Sequence, residues 1–257
     1  MNVVAATGRG TLAVIREIGR ISIFAVQGAL AWASGPIYWR ALGNAALRIG
    51  FNSLPVVGLT AIFTGAALAL NIWDGSLRFN AETFLPQILG VSITRELGPV
   101  LAALMISGRS SSAMAAELGA MRVSEQIDAM KTLNVDPFKY LVSPRVVATT
   151  LMLPFLVLVA DIVGIYGGYL VAVHLLDFAG PVYLRNIADF LTTEDIVSGL
   201  IKAGVFGFLL SVMGCYYGYN SKGGAQGVGA ATRAAVVASA VLILASNYLM
   251  TSFFVHI

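Results

Sequence analysis

The sequence carries little charge and few of the groups that catalytic or redox proteins depend on. Only 11% of its 257 residues are Asp, Glu, Lys or Arg, against about 25% in an ordinary soluble domain. The one cysteine, Cys215, lies in an apolar stretch, which excludes a disulfide framework, a CxxC pair and a cysteine metal cluster. His174 and His256 stand apart, each near the end of an apolar stretch, with no partner set for a metal or a triad. No G-x-x-x-x-G-K-[ST] occurs, so the chain has no P-loop with which to bind ATP. The glycine-rich run 223–229 lacks the Lys-Ser/Thr ending and reads as a turn between two apolar stretches. Ser110-Ser111-Ser112 has no flanking G-x-S-x-G, and small residues at that place suit tight helix packing. Together these absences leave an enzyme little support and give no metal site.

What the chain does have is apolar length. Hydrophobic residues make up 58% and the mean hydropathy is +0.82. A soluble chain of this size cannot bury nearly all its surface, so the composition points to a membrane protein. A bilayer core needs about 20 mainly apolar residues per helix. The stretches 54–73, 146–176, 196–219 and 234–255 meet that test, and 84–107 has the length while carrying Arg95 and Glu96 in its middle. The expected fold is an all-α integral membrane protein with five spans. It forms one membrane domain over residues 1–257, with a five-span bundle over 54–255.

Residues 12–34 differ from the spans. Arg16, Glu17 and Arg20 precede a short apolar run. Ala31-Trp32-Ala33 imitates a signal-peptide cleavage site, but Arg40 and Arg48 follow and oppose translocation. The reading is an interfacial amphipathic region over 1–50, with arginines among headgroups and Ile21, Phe24 and Trp32 in the acyl boundary.

Orientation follows from the basic residues. The N-terminal region holds Arg9, Arg16, Arg20, Arg40 and Arg48. The segment 108–145 holds Arg109, Arg122, Lys131, Lys139 and Arg145, and 220–233 holds Lys222 and Arg233. The other two connections hold only Arg78 and Arg185. Lys and Arg collect on the cytoplasmic side, which places the N-terminus inside, the C-terminus outside and 108–145 in the cytoplasm as a loop. The pI near 9.1 therefore reflects topology, and nucleic acid is not an expected partner.

Ionisable residues inside spans are costly and face a cavity or a partner. Arg95 and Glu96 lie mid-span and point about 100° apart, Lys202 and Asn247 are some way inside their spans, and Asp161 is central in the third. They form an internal neutralising network, with Arg95 and Lys202 against Glu96 and Asp161, or they line a substrate cavity, and both can hold together. Gly164-x-x-x-Gly168 and Gly214-x-x-x-Gly218 signal close helix packing.

Within 108–145, Ser124 can cap a helix with Glu125 in its first turn. Ile127, Met130 and Leu133 form an apolar stripe, and Asp128 pairs with Lys131 at i, i+3. Asn134 can take a left-handed C-terminal position, and Pro137 prevents continuation. The stripe needs a cover, and its own spans, lipid headgroups or another subunit all remain open on pattern alone.

Several motifs along this segment and beyond it match one family. Arg95-Glu96-Leu97-Gly98-Pro99-Val100, Gly108-Arg109, the run AELGAMRVSEQIDAM at 116–130, Val135-Asp136-Pro137 and Ser143-Pro144-Arg145 occur in order. Gly164-Ile165-Tyr166-Gly167-Gly168 and Ala231-Thr232-Arg233 continue the series. From about residue 50 onward the chain resembles the MlaE (YrbE-type) permease family. The resemblance implies the membrane subunit of an ABC transporter that moves phospholipids between the bacterial inner membrane and periplasmic carriers, maintaining outer-membrane asymmetry. It implies a homodimer, two cytoplasmic ATPase subunits that bind ATP and Mg, a periplasmic hexamer of MCE-domain proteins and a small STAS-domain protein. Residues 117–133 would be the coupling helix, through Glu117, Arg122, Glu125, Asp128 and Met130. Arg95, Glu96, Lys202 and Asn247 would lie at or near the lipid cavity, with Leu70 and Trp73 lining its upper part. Asn247 stands where an acidic residue can occur, and an amide cannot neutralise Lys202. Other classes remain: a secondary transporter or channel running on the intramembrane charges, or a membrane scaffold indifferent to them.

Overall fold

The computed structural model describes residues 3–33, 35, 38–78 and 82–255; His256 lies outside them. The described residues form helices and no strands. Five helical rods are long and apolar enough to cross a membrane: Trp39–Leu77, Leu85–Val123, Phe138–His174, Thr193–Tyr219 and Gly224–Phe254. The all-α, five-span class is therefore the observed one.

The rods contain eleven α-helices and several tighter or wider turns. An N-terminal helix, α1 (Val3–Ala33), precedes α2 (Trp39–Ile49), which passes through the 3-10 turn Phe51–Ser53 into α3 (Leu54–Leu77). The second rod runs α4 (Leu85–Ser92), a π-helical turn at Ile93–Leu97, α5 (Gly98–Ile106), a second π-helical turn at Ser107–Ser111, and α6 (Ser112–Val123). The short α7 (Gln126–Thr132) follows. A π-helical turn at Phe138–Val142 leads into α8 (Ser143–His174), then come α9 (Gly180–Phe190), α10 (Thr193–Tyr219) and α11 (Gly224–Val255). Proline sits in the first turn of α3, α4 and α9, where its fixed φ favours helix entry, while Pro99 and Pro144 follow the π-helical turns that precede α5 and α8 inside continuous rods.

The rods outrun the stretches marked by hydropathy. Residues 108–123 and 138–145 are helical extensions of the second and third spans, so the expected loop at 108–145 shrinks to the α6–α7 elbow and its return. The reason is tertiary. A Cβ on Gly218 would meet Ala115, one on Gly214 would meet Ser111, and one on Gly119 would meet Val228. This close approach to α10 and α11 shields a polar-looking helix from solvent. The glycine run 223–229 likewise turns only at its start, where Gly223 and Gly224 take φ of +89° and +65°; α11 begins there. The connection 177–195 contains α9, which buries Tyr183 and Ile187 against Leu85 and Ala172.

At the centre, α8 packs against α3 on one side and α10 on the other, and α10 packs in turn on α6 and α11. The α3–α8 crossing depends on glycine: a Cβ on Gly65 would strike the Gly164 carbonyl, and one on Gly167 the Ile62 carbonyl. By contrast, α3 and α11 keep exposed apolar faces, with Leu59 and Phe63 on one and Val241, Leu249 and Phe253 on the other.

The N-terminal region corrects one expectation. Phe24 is buried, not in an acyl boundary, and its ring meets Phe138 at 5.1 Å and Tyr216 at 5.5 Å. Ile21 packs at the edge of the same cluster, and Trp32 stands edge-on to Trp39 at 6.4 Å. Tyr216 donates a 2.7 Å hydrogen bond to Glu17, tying α1 to the end of α10. The opposite face of α1, with Leu12, Ile15, Ile18 and Val26, is the exposed apolar one. A helix with apolar residues on both sides cannot tell from pattern which side meets protein, and the aromatic ends of α8 and α10 settle it here.

Candidate functional site

Of the intramembrane ionisable residues, Arg95, Glu96 and Lys202 meet in one knot, at the end of the bundle remote from α1. Lys202 is 2% exposed. Its Nζ donates to Glu96 Oε1 at 2.6 Å, Thr251 Oγ1 at 2.8 Å and the Arg95 carbonyl at 2.9 Å. Glu96 also accepts from the Thr251 hydroxyl at 2.8 Å and from Asn247 Nδ2 at 2.9 Å. Three spans are joined: the second through Arg95 and Glu96, the fourth through Lys202, the fifth through Asn247 and Thr251. All three ammonium donors are used, which is the condition for a buried charge to be tolerable.

The local backbone explains the fit. In an α-helical register the carbonyl of Arg95 would take its hydrogen from residue 99, which is Pro99 and has none. The chain widens into the π-helical turn Ile93–Leu97 at this point, and Lys202 supplies a donor to that carbonyl. Such turns re-aim side chains and are frequent at functional sites. Arg95 leaves in another direction and pairs with Asp195 at 3.3 Å. Asp195 is held by a capping box, in which the Thr192 amide donates to its carboxylate at 3.0 Å and its own amide donates to the Thr192 hydroxyl.

The expected network is therefore confirmed in its Lys202–Glu96 half and corrected in the other. Asp161 is not the partner of Arg95. It is buried, with Oδ1 against Gly98 and no hydrogen-bond partner among the described residues. Asn247 does not neutralise Lys202; it donates to the carboxylate that does. Thr251 and Asp195 were missed by sequence reasoning. The T-T-E-D run at 192–195 was the available signal for the cap, but Thr251 carried none. Arg95 and Glu96 keep 38% and 37% of their side chains exposed, so the knot opens at one side. Leu70 is exposed on α3, and Trp73 turns toward Phe178 at 5.6 Å.

At the other end of the second rod, α6 breaks into α7. Glu125 sits at φ 59° and Asn134 also at φ 59°, so left-handed residues bracket the short helix. Asn134 stands as expected, while Ser124 is not the cap: its hydroxyl donates back to Ala120 at 2.8 Å. The apolar stripe divides, with Ile127 buried, Met130 half-buried and Leu133 exposed. Arg122 clamps the elbow through Asp128 at 2.7 Å, and Lys131 adds a contact at 3.4 Å. Glu117 points away from the elbow and binds Arg48 and Arg145 at 2.7 and 3.0 Å.

The Arg122 hydrogen bond holds the Asp128 carboxyl below its ordinary value of 3.8. Its contribution is thus present above that ordinary value and lost as pH falls through the lowered one. Amide exchange of residues 124–134, corrected for intrinsic rates, is expected to stay constant from neutral pH down to the ordinary carboxylate range and to accelerate below it. Exchange that is equally protected well below that range removes the clamp.

Comparison with known proteins decides the family. The permease MlaE family model matches residues 42–253. The chain belongs to the MlaE permease family. A probable ABC transporter permease protein of Rickettsia bellii is 48% identical to this MlaE-family chain over 254 residues, covering 99% of it and 98% of the relative. The chloroplastic protein trigalactosyldiacylglycerol 1 of Arabidopsis thaliana is 38% identical, covering 91% of the chain and 67% of its own length. The intermembrane phospholipid transport system permease protein MlaE of Haemophilus influenzae is 28% identical, covering 98% and 97%. As a member of this family the chain is the membrane subunit of a transporter.

Proposed function

We propose that this MlaE-family permease is the membrane subunit of an ABC transporter that moves phospholipids between the bacterial inner membrane and periplasmic MCE-domain carriers. The Haemophilus and Rickettsia relatives support the cargo and the transporter class. The α1 end is cytoplasmic, because the basic residues gather there, and the C-terminus is periplasmic. Two copies pair across the exposed faces of α3 and α11. Two cytoplasmic ATPase subunits hold ATP and Mg, a hexamer of MCE-domain proteins receives or delivers lipid, and a small STAS-domain protein completes the assembly.

One observation carries the mechanism. The second rod, Leu85–Val123, bears the polar knot toward one end and the elbow at the other. At 1.5 Å per residue it is about 58 Å long, so force applied at the elbow reaches Glu96 through a continuous helix. ATP-driven closure of the partner subunits would push on residues 117–133, chiefly through exposed Glu125 and half-exposed Arg122, Asp128 and Met130. Glu117 would act behind them, fastening α2 and α8 to the moving rod. The spans then shift and the outward cavity between protomers narrows. Its walls would be the apolar faces around Leu70 and Trp73. Arg95 is the cation placed to meet a headgroup phosphate by charge-assisted hydrogen bonds, while Lys202, with Glu96 and Asn247, holds the floor.

Replacing Glu125 and Asp128 together with lysine is expected to abolish co-purification of the ATPase and ATP-dependent lipid transfer, leaving the permease folded. Normal assembly and lipid flux in that variant would sink the docking assignment. Transport that follows membrane potential without ATP would instead favour a secondary transporter.

A further inference from the structure

A cavity of about 430 Å³ lies at the α1 end of the bundle, between α2, the α5–α6 stretch and the start of α8. Its construction differs from that of the polar knot. Ala41, Asn44, Ala45 and Arg48 line it at i, i+3, i+4 and i+7, so one face of α2 forms a wall. Ile49, Met114 and Leu141 make the apolar floor.

The polar lining is unbalanced. Arg48, Arg109 and Arg145 face the cavity, with Glu117 as its lone carboxylate. Glu117 is shared, taking Arg48 on one oxygen and Arg145 on the other. Arg145 also donates to the Leu141 carbonyl at 2.6 Å, and four-fifths of its side chain is buried. Arg109 donates to the neutral Ser53 hydroxyl at 2.6 Å. Three fixed cations against one anion leave an excess of two positive charges around a partly apolar hollow. Each guanidinium presents five donors in a planar fork, and that fork matches the oxygens of a phosphate.

The neighbourhood places the hollow at headgroup depth. Trp39 is exposed on α2, and Tyr38 and Tyr140 stand edge to face at 5.1 Å beside it. Such amphipathic rings settle at the membrane–water boundary. Arg109 is fourteen residues beyond Arg95, about 21 Å along the rod, so the hollow is separate from the knot.

We propose that this cavity binds the phosphate of a glycerophospholipid from the cytoplasmic leaflet, with Arg109 and Arg48 gripping the phosphate and the glycerol resting on the apolar floor. The leaflet rests on the orientation given under the proposed function; the phosphate chemistry does not. The same chemistry would also accept free phosphate, and the test separates the two.

The intact permease, isolated with its partner subunits in a phosphate-free maltoside detergent, would be exposed to a photoreactive phosphatidylglycerol. A photoreactive diacylglycerol with identical chains serves as the control. The phosphatidylglycerol is expected to label peptides from 39–52 and 109–117, and the diacylglycerol is not. Arg109→Gln, which strands only a serine hydroxyl, is expected to reduce labelling about tenfold, and Arg109→Lys to restore part of it at an unchanged melting temperature. Equal labelling by the two probes, or undiminished labelling in both Arg109→Gln and Arg48→Gln, overturns the proposal. Loss of labelling in the presence of cytoplasmic levels of inorganic phosphate overturns the lipid assignment in favour of the free ion. Labelling needs no ATP and no transport, so failure of the transport function would leave this result standing.

Discussion

Replacing Lys202 with methionine is expected to destabilise the protein by about 1–3 kcal/mol, the cost of leaving hydrogen-bonding groups without their charged partner, because the stranded Glu96 keeps 37% of its side chain exposed. The stem fits the same space, so the loss is electrostatic. Glu96 would keep Asn247 and Thr251 as neutral donors, but its charge would have no cation. The Arg95 carbonyl would also lose the donor that Pro99 cannot supply. The double variant Lys202→Met/Glu96→Gln removes both charges, and a neutral pair of similar volume is often as stable as the ion pair it replaces. It is expected to recover most of the loss. Thermal melting of the purified protein checks both. A single variant that melts like the parent, or a double variant no better than the single, contradicts the account. Lipid transfer by a stable double variant then separates roles: retained transfer makes the knot structural, and lost transfer makes its charge part of the passage.

The second large effect is at the crossing of α3 and α8. Gly65→Ala is expected to cost about 1–3 kcal/mol, the usual range for overpacking, and Gly65→Leu to prevent accumulation of folded protein. The added carbon would strike the Gly164 carbonyl, and backbone cannot move aside as a flexible side chain can. Without this contact, the first and third spans would have to separate. Gly58 on the same helix has open space where its Cβ would stand, so Gly58→Ala is the matched control and is expected to be neutral or slightly stabilising. Equal melting of Gly65→Ala and Gly58→Ala would show that the crossing relaxes freely.

How much of the site the sequence revealed depended on the range of each interaction. Arg95, Glu96 and Lys202 stood out because charge inside an apolar run is conspicuous whatever its partners. Their pairing was not readable, since 106 positions separate Glu96 from Lys202. Asp161 was the acid set beside Glu96 against Arg95 and Lys202 on paper, whereas the structure pairs Arg95 with Asp195, which a helix cap fixes at the start of the fourth span. Asn134 could be assigned its left-handed turn from local chemistry alone. Ser124 could not be denied its cap in the same way, because Glu125, beside it, takes the left-handed position that makes the elbow.

By itself, the sequence determined the membrane class, the number of spans, the concentration of basic residues at one end and the family. These follow from composition, periodicity and local motif, which act over a few turns of chain. Tertiary structure alone decided which charge meets which, and that Phe24 turns inward. It also decided that residues 108–123 are a helix with one buried face where polarity suggested loop, and that three arginines from distant segments surround one hollow. Each of these depends on what lies opposite a residue across the bundle, and packing between helices, not the order of the chain, supplies the neighbour.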